Sequence, residues 1–422
     1  MVRDKPTQMW RISKDKREYD NFHNLVNGNL KNTVDVEKLN ESLLINQVAA
    51  VKGKASISIL YDGSDIRKGE SSSLENLGWV KDLKGTWVRG YNTFNAVRVE
   101  RGEVGLLSCV PYSNRDPHFL SEKERKAFES GKLLDKERQK EIEMYLEEED
   151  MYNQKQIYKS TIKSVHDNFK RVNEDAVLNH ILDRGHDDNE LFKFIDDLGD
   201  KFTIRLKNNR NSPFQTLDEK TQKEKFLKWS EIALGNRAEK CYEKVAFKKR
   251  VYVKPRALFE WDNIVIENRL YCIVRVRFYT YDGQPIFKEP MFIITNHEVH
   301  DAQMAQFVYQ LYLQRSKIEG VFKFLKDVLG WDTFKVQDFE SIKNIIALCF
   351  FVGAYFYDIQ DELTKDDNIQ WICELGGGKG TVSRYFFLKG LEKLLIAQQV
   401  ELFKQEFNIS KEQIDYAFDL II

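Results

Sequence analysis

Hydrophobic and polar positions change period several times along the 422-residue chain, and each change marks a new element. Residues 1–52 are polar and read as helical, with apolar positions at helical spacing in "DVEKLNESLLINQVAAV". "SISILYD" then alternates up to Asp62, and "WVRGYNTFNAVRVERGEVGLLSCV" predicts two strands joined by a turn around "ERGE". Between 121 and 178 the composition turns to charged helix. "VLNHILDRG" predicts a short apolar strand ending in Asp183, "DDNELFKFIDDLG" an amphipathic helix, and "KFTIRLKNN" another strand. Residues 210–290 are rich in strands and aromatics, with a hairpin turning at "YDGQ". After Thr295 the pattern is helical almost to the end. Its most apolar run, "IIALCFFVGAYFY" at 345–357, is shorter than the roughly 20 residues that span a bilayer, and predicts a buried helix.

Composition narrows the classes. With 42% hydrophobic and 31% charged residues the chain reads as globular and not disordered, in two or three domains. A net charge of -1 removes any global electrostatic argument for nucleic acid, so a grip on DNA must come from local patches. One patch stands out: "RAEKCYEKVAFKKRVYVKPR" at 237–256 has eight basic against two acidic residues, interleaved with Tyr242, Phe247 and Tyr252. That mixture suits phosphates and stacked bases, with Lys248, Lys249, Arg250, Lys254 and Arg256 as contacts. A solvated basic strand edge is the competing reading. "KNNRN" offers Lys207 and Arg210 as a second phosphate contact. Five scattered cysteines lack the spacing of a zinc site or redox pair and suggest a reducing compartment. The N-terminus lacks the apolar core of a signal peptide, so a cytoplasmic protein without a membrane partner is expected.

The polar residues of "YLQRSKIEGVFKFLK" carry the sharpest chemical signal. Read as one helix, the stretch places Tyr312, Arg315, Glu319 and Lys326 at steps of three, four and seven, on one stripe. Asp62 and Asp183 each end a predicted strand, followed by Gly63-Ser64 and Arg184-Gly185. A solvated helix face and two turn or N-cap aspartates are the competing readings. If the two strands are neighbours, the three carboxylates can meet at one sheet edge, an oxygen-rich cluster suited to Mg2+. Two such ions clamp the attacking and leaving oxygens of a phosphodiester displacement. Asp65 competes with Asp62 within "DGSD", but alternation sets Asp62 in step with Ser58 and Leu60 while Asp65 falls beyond the turn. "GGGKGT" at 376–381 lacks phosphate-loop spacing and reads as a flexible loop near DNA; "HEVH" lacks zinc spacing and reads as a helix start. His186 is placed to touch the scissile region, against the plainer reading of an incidental histidine in a turn.

Three blocks, "LYDGSDIRK", "ILDRGHDDNELFKFIDDLGDKFTIRLKNN" and "MFIITNHEVHDAQMAQFVYQLYLQRSKIEGVFKFLKDVLGW", resemble in order the catalytic blocks of bacterial insertion-sequence DDE transposases. Tyr312, Arg315, Glu319 and Lys326 fit that family's Y-(2)-R-(3)-E-(6)-K signature, and the likeness runs from about residue 20 to the end. The resemblance implies an α/β fold of the retroviral integrase superfamily. Its ribonuclease-H-like catalytic core would take residues 53–209 and 291–335, with a β-strand-rich insertion at 210–290. Helical segments at 1–52, binding DNA ends, and at 336–422, a candidate for dimerisation, would complete the chain. It further implies two Mg2+ ions, with Mn2+ substituting, held by the catalytic residues Asp62, Asp183 and Glu319. Tyr312, Arg315 and Lys326 would hold phosphates. Trp261 is the nearest candidate for an aromatic that stabilises an unstacked base, against the plainer reading of a core tryptophan. Ser316 departs from the Trp many relatives carry after the signature Arg. The implied activity is cut-and-paste transposition of double-stranded DNA, by inverted-repeat cleavage and strand transfer to target DNA, in a homodimer assembled on the DNA. A transposase-derived DNA-binding protein without cleavage and a ribonuclease-H-like nuclease without strand transfer are the alternatives.

Overall fold

A computed structural model describes residues 35–71, 73–82, 85–132, 135–217, 224–247, 250–359 and 366–407, with Asp20, Asn24 and Ser410. Most of the expected N-terminal DNA-end-binding segment, and Lys248 and Lys249, lie outside the described residues. The strands are β1 (Ser56–Arg67), β2 (Gly78–Lys81), β3 (Trp87–Glu100), β4 (Glu103–Tyr112), β5 (Val177–Leu182), β6 (Lys201–Arg205) and β7 (Asn211–Leu217). They continue with β8 (Glu224–Lys228), β9 (Asn236–Cys241), β10 (Lys244–Phe247), β11 (Arg250–Val253), β12 (Arg256–Ile266), β13 (Arg269–Tyr279) and β14 (Met291–Thr295). The helices are α1 (Val36–Ala50), α2 (Glu122–Glu129), α3 (Lys136–Glu147), α4 (Gln154–Val172) and α5 (Asn189–Asp197). Five more follow: α6 (Ala302–Leu313), α7 (Ser316–Asp327), α8 (Phe339–Asp358), α9 (Asp367–Leu375) and α10 (Arg384–Phe407).

The chain divides into two compact units, the larger formed by residues 41–65 and 91–321. Its mixed sheet runs β3-β1-β5-β6-β14-β13-β12-β9, with β4 paired to β3. β1, β5 and β6 are parallel and central, as their apolar runs require: Ile57, Ile59, Leu178, Ile181, Phe202 and Ile204 are all buried. α4 lays Ile157, Ile162, Val165 and Phe169 into the same core, and α5 adds Leu191, Phe192 and Ile195. The "ERGE" turn forms as expected, with Arg101 and Gly102 both at positive φ. β12 and β13 meet through Glu267 and Asn268, also both at positive φ, a tight turn that no Gly signals. β13 pairs β14 around the expected "YDGQ" turn, so β14, β13, β12 and β9 extend the central sheet, while β7-β8 and β10-β11 form two separate two-stranded sheets.

One boundary differs from expectation. β1 does not stop at Asp62 but runs on to Arg67. Thr93 Oγ1 donates to the Ser64 carbonyl at 3.0 Å and Asn95 Nδ2 to the Asp62 carbonyl at 3.2 Å, so β3 holds Gly63 and Ser64 in the strand. Asp65 therefore lies on β1 and not beyond a turn.

The second unit contains the long helices that follow Phe322. The apolar run of α8 is buried as expected, and the indole of Trp331 donates to the Ile346 carbonyl at 3.0 Å. "GGGKGT" forms the turns between α9 and α10. A Cβ on Gly376 would lie 1.9 Å from the Phe386 carbonyl oxygen, and one on Gly390 would lie 1.8 Å from that of Ile372. Glycines are required because α9 and α10 cross backbone to backbone.

A chain of polar groups runs through the larger core. His166 Nδ1 and His180 Nε2 donate to Asp200 Oδ2 at 2.7 and 2.9 Å, and His180 Nδ1 shares a hydrogen bond with the Tyr61 hydroxyl at 2.9 Å. Asp200 has a fully buried side chain. Burial alone would raise its carboxyl; the hydrogen bonds and charges of His180 and His166 outweigh that and hold it below the usual range. Such a carboxylate contributes stability above the ordinary aspartate range and loses it as pH falls through the depressed value. Asp200→Asn is expected to cost about 3 kcal/mol near neutrality. In urea unfolding the deficit should shrink on acidification.

Candidate active site

The parallel pairing of β1 with β5 sets the geometry. Its register runs from Ser56↔Val177 to Tyr61↔Leu182, so the next residue on each side is an aspartate, Asp62 and Asp183. Asp183 caps the short helical turn 184–186 and accepts from Gly185 N–H at 2.7 Å and His186 Nδ1 at 2.9 Å, both on Oδ1. Burial pushes the Asp62 carboxyl up to about 6; the Arg315 charge opposes the rise and the Asp183 charge adds to it. Burial would raise Asp183 too, but the hydrogen bond and charge of His186, Gly185 N–H and Arg315 hold it at about 2. Two adjacent acids are thus pushed apart in affinity for protons, as happens when like charges share a buried site.

Arg315 joins them to the third carboxylate. Its guanidinium lies 3.4 Å from Asp62 Oδ2 and donates to Glu319 Oε1 at 2.7 Å. The expected single helix is in fact broken here: α6 ends at Leu313 and α7 starts at Ser316. Bonds of the i to i-3 type, from Arg315 N–H to Tyr312 and from Ile318 N–H to Arg315, with Ser316 Oγ donating to Leu313, tighten the connection. Glu319 keeps its four-residue spacing from Arg315 but its side chain is 61% exposed. Among the described residues, no three His, Cys, Asp or Glu side chains converge on one point. Arg315 lies against both Asp62 and Glu319, supplying the positive charge that their proximity demands.

The remaining predicted residues fall as follows. Tyr312 is 7% exposed, and its phenol bonds to Arg205. Lys326 occupies the last turn of α7. Trp261 is 6% exposed within β12, between Val274 and Asn236, so its ring is core and not presented to a base. Arg210 is bound to Asp187 and Asn189, while Lys207 is exposed. Arg250 and Lys254 are exposed, and Arg256 lies 3.6 Å from Glu239. Two aromatics of the basic stretch pack on neighbouring rings, Phe247 on Phe287 at 4.5 Å and Tyr242 on Phe278 at 5.8 Å, although Phe247 remains exposed.

Three residues near the carboxylates were not singled out as functional by the sequence. Arg205 ends β6 beside Tyr312. Tyr158 feels the charges of both Asp62 and Asp183, and burial raises its phenol far above the ordinary range. His186 touches Asp183 directly. His186 had a legible signal, its place in the turn after Asp183; Arg205 and Tyr158 had none.

The adjacent pair Asp62 and Asp183 offers the carboxylate oxygens that a hard divalent cation takes, with Oδ2 of Asp183 outside both of its hydrogen bonds, while Glu319 does not converge on them as expected. Residues 159–354 match the family model of the transposase DDE domain. The match covers Asp183 and Glu319, while Asp62 precedes it. No curated protein matches the chain.

Asp62 has a folded value of about 6 against the ordinary 3.8, so its protonated form is favoured by folding. The associated stability is complete below the ordinary value and lost as pH rises through about 6. Without divalent cation, Asp62→Asn is expected to melt a few degrees above wild type near neutrality and to lose that advantage by about pH 4. Calorimetric scans across that range check the sign.

Proposed function

We propose, from the match of residues 159–354 to the transposase DDE domain, that the chain cuts DNA at the ends of its own element and joins them to a target. The observation that carries this reading is the pair of aspartates at the ends of adjacent parallel runs, tied through Arg315 to Glu319. Residues 53–209 and 291–335 form the ribonuclease-H-like core in this reading, with 210–290 inserted between them.

Asp62, Asp183 and Glu319 would hold the divalent cations, Mg2+ or Mn2+, whose chemistry is to lower the pKa of water and neutralise charge on the phosphate oxygens. The chain's own part is positioning. Asp183 is anchored by Gly185 and His186, and Arg315 offers a planar fork able to take a phosphate in two directions. Tyr312 and Arg205 buttress the turn that carries Arg315. Lys326 adds a point charge farther along α7. Hydrolysis at an inverted-repeat end leaves a 3′-hydroxyl, which attacks target DNA in the joining step. Because no covalent enzyme intermediate is needed, one site serves both steps. The protein works as a homodimer assembled on two ends, with 336–422 as the pairing region.

The test uses DNA carrying the repeats that flank the gene. Asp183→Asn and Glu319→Gln should each lose roughly a thousandfold or more in cleavage, about 4 kcal/mol of barrier, with end binding in gel shift unchanged. A wild-type protein that binds the ends yet cuts under neither Mg2+ nor Mn2+ defeats this reading in favour of a non-cleaving DNA-binding protein. Cutting without joining would favour a nuclease.

A further inference from the structure

His186 is 5% exposed, and its ring is fixed on two sides, 4.7 Å from Tyr158 and 5.5 Å from Phe94 by ring centres. Phe94 in turn stacks on Tyr61 at 5.7 Å and packs on Tyr158 at 4.3 Å. The imidazole is therefore held by core aromatics and is not a loop side chain free to turn. Its Nδ1 donates to Asp183 Oδ1 at 2.9 Å, while Nε2 is buried without a partner. So the polar contact this ring makes is spent on one oxygen of one carboxylate.

The backbone points the same way. Gly185 N–H donates to the same Oδ1 at 2.7 Å, and a Cβ on Gly185 would lie 2.9 Å from that oxygen. Any side chain at 185 would push the carboxylate from its place. The turn after β5 thus closes on Oδ1 from two directions, while both hydrogen bonds leave Oδ2 out.

We infer that His186 is a positioning residue: it clamps Oδ1 of Asp183 so that Oδ2 is the oxygen presented to a divalent cation. The inference rests on the transposase reading for its purpose but not for its test. Groups that orient a metal ligand contribute through the geometry they impose, and removing one costs roughly ten- to a hundredfold in metal affinity.

Two substitutions separate the hydrogen bond from the packing. His186→Phe keeps a ring against Phe94 and Tyr158 but has no donor; His186→Asn keeps an amide N–H near the Nδ1 position but loses most of the ring. Mn2+ affinity, read from free Mn2+ by electron paramagnetic resonance, should fall about tenfold or more in His186→Phe and stay within about threefold of wild type in His186→Asn. Cleavage of end DNA should follow the same order, and thermal melts of both variants establish that the proteins compared are folded. Wild-type Mn2+ affinity in His186→Phe overturns the inference, as does loss in His186→Asn alone, which would mean that the ring matters only as packing. A wild type that binds Mn2+ but cuts no DNA defeats the transposase reading, and the Mn2+ comparison still decides the role of His186.

Discussion

The register between β1 and β5 is the constraint from which the site follows. Six consecutive parallel pairs end at Tyr61↔Leu182, and only that alignment puts Asp62 level with Asp183. A slip by one residue would turn Asp62 to the other face of the sheet, separating the two carboxylates. Apolar side chains alone specify register weakly, because Ile, Leu and Val exchange contacts at small cost. The hydrogen-bonded chain Tyr61-His180-Asp200-His166 does not exchange, since each buried group needs its own partner at fixed distance. It links β1 to β5, the residue before β6 and α4, and so ties together the elements on which the register depends.

Charge imposes the second constraint. Asp62, Asp183 and Glu319 bring three negative charges toward one region, and the cations facing them are Arg315 and, when protonated, His186. Arg315 sits in the break between α6 and α7 and reaches both Asp62 and Glu319 from there. The same break explains why Tyr312 belongs to the interior: it lies on the far side of the turn, against Arg205.

Much of this was legible in the sequence because it rests on local pattern. Short apolar strands ending in aspartate announced Asp62 and Asp183, and the four-residue step announced the contact of Arg315 with Glu319. What escaped depends on partners distant in the chain. β1 continues past Gly63 because β3 supplies Thr93 and Asn95; His186 matters because Phe94 and Tyr158 hold its ring; Trp261 is core because β9 and β13 flank it. The glycines at 376 and 378 looked like loop residues, yet Gly376 is dictated by the approach of Phe386 on another helix. Even the Glu267-Asn268 turn is a tertiary choice, two non-glycine residues accepting positive φ so that β12 and β13 pair along eleven positions.

The electrostatics also bear on where DNA is gripped. Burial, more than the neighbouring Asp183 charge, holds the Asp62 carboxyl up at about 6. In the proposed reading Arg315 takes a phosphate at the site, and further affinity for the backbone would come from cations away from the carboxylates. Arg210 is bound by Asp187 and Asn189, and Arg256 faces Glu239, so both would exchange an internal partner for a phosphate. Lys207, Arg250 and Lys254 are exposed and meet no such cost. Counterion release at side chains of that kind gives binding that weakens steeply with salt and reads little sequence. In the proposed reading, selection among DNA ends would then fall to contacts made elsewhere, and the carboxylate site would act on the phosphate those contacts deliver.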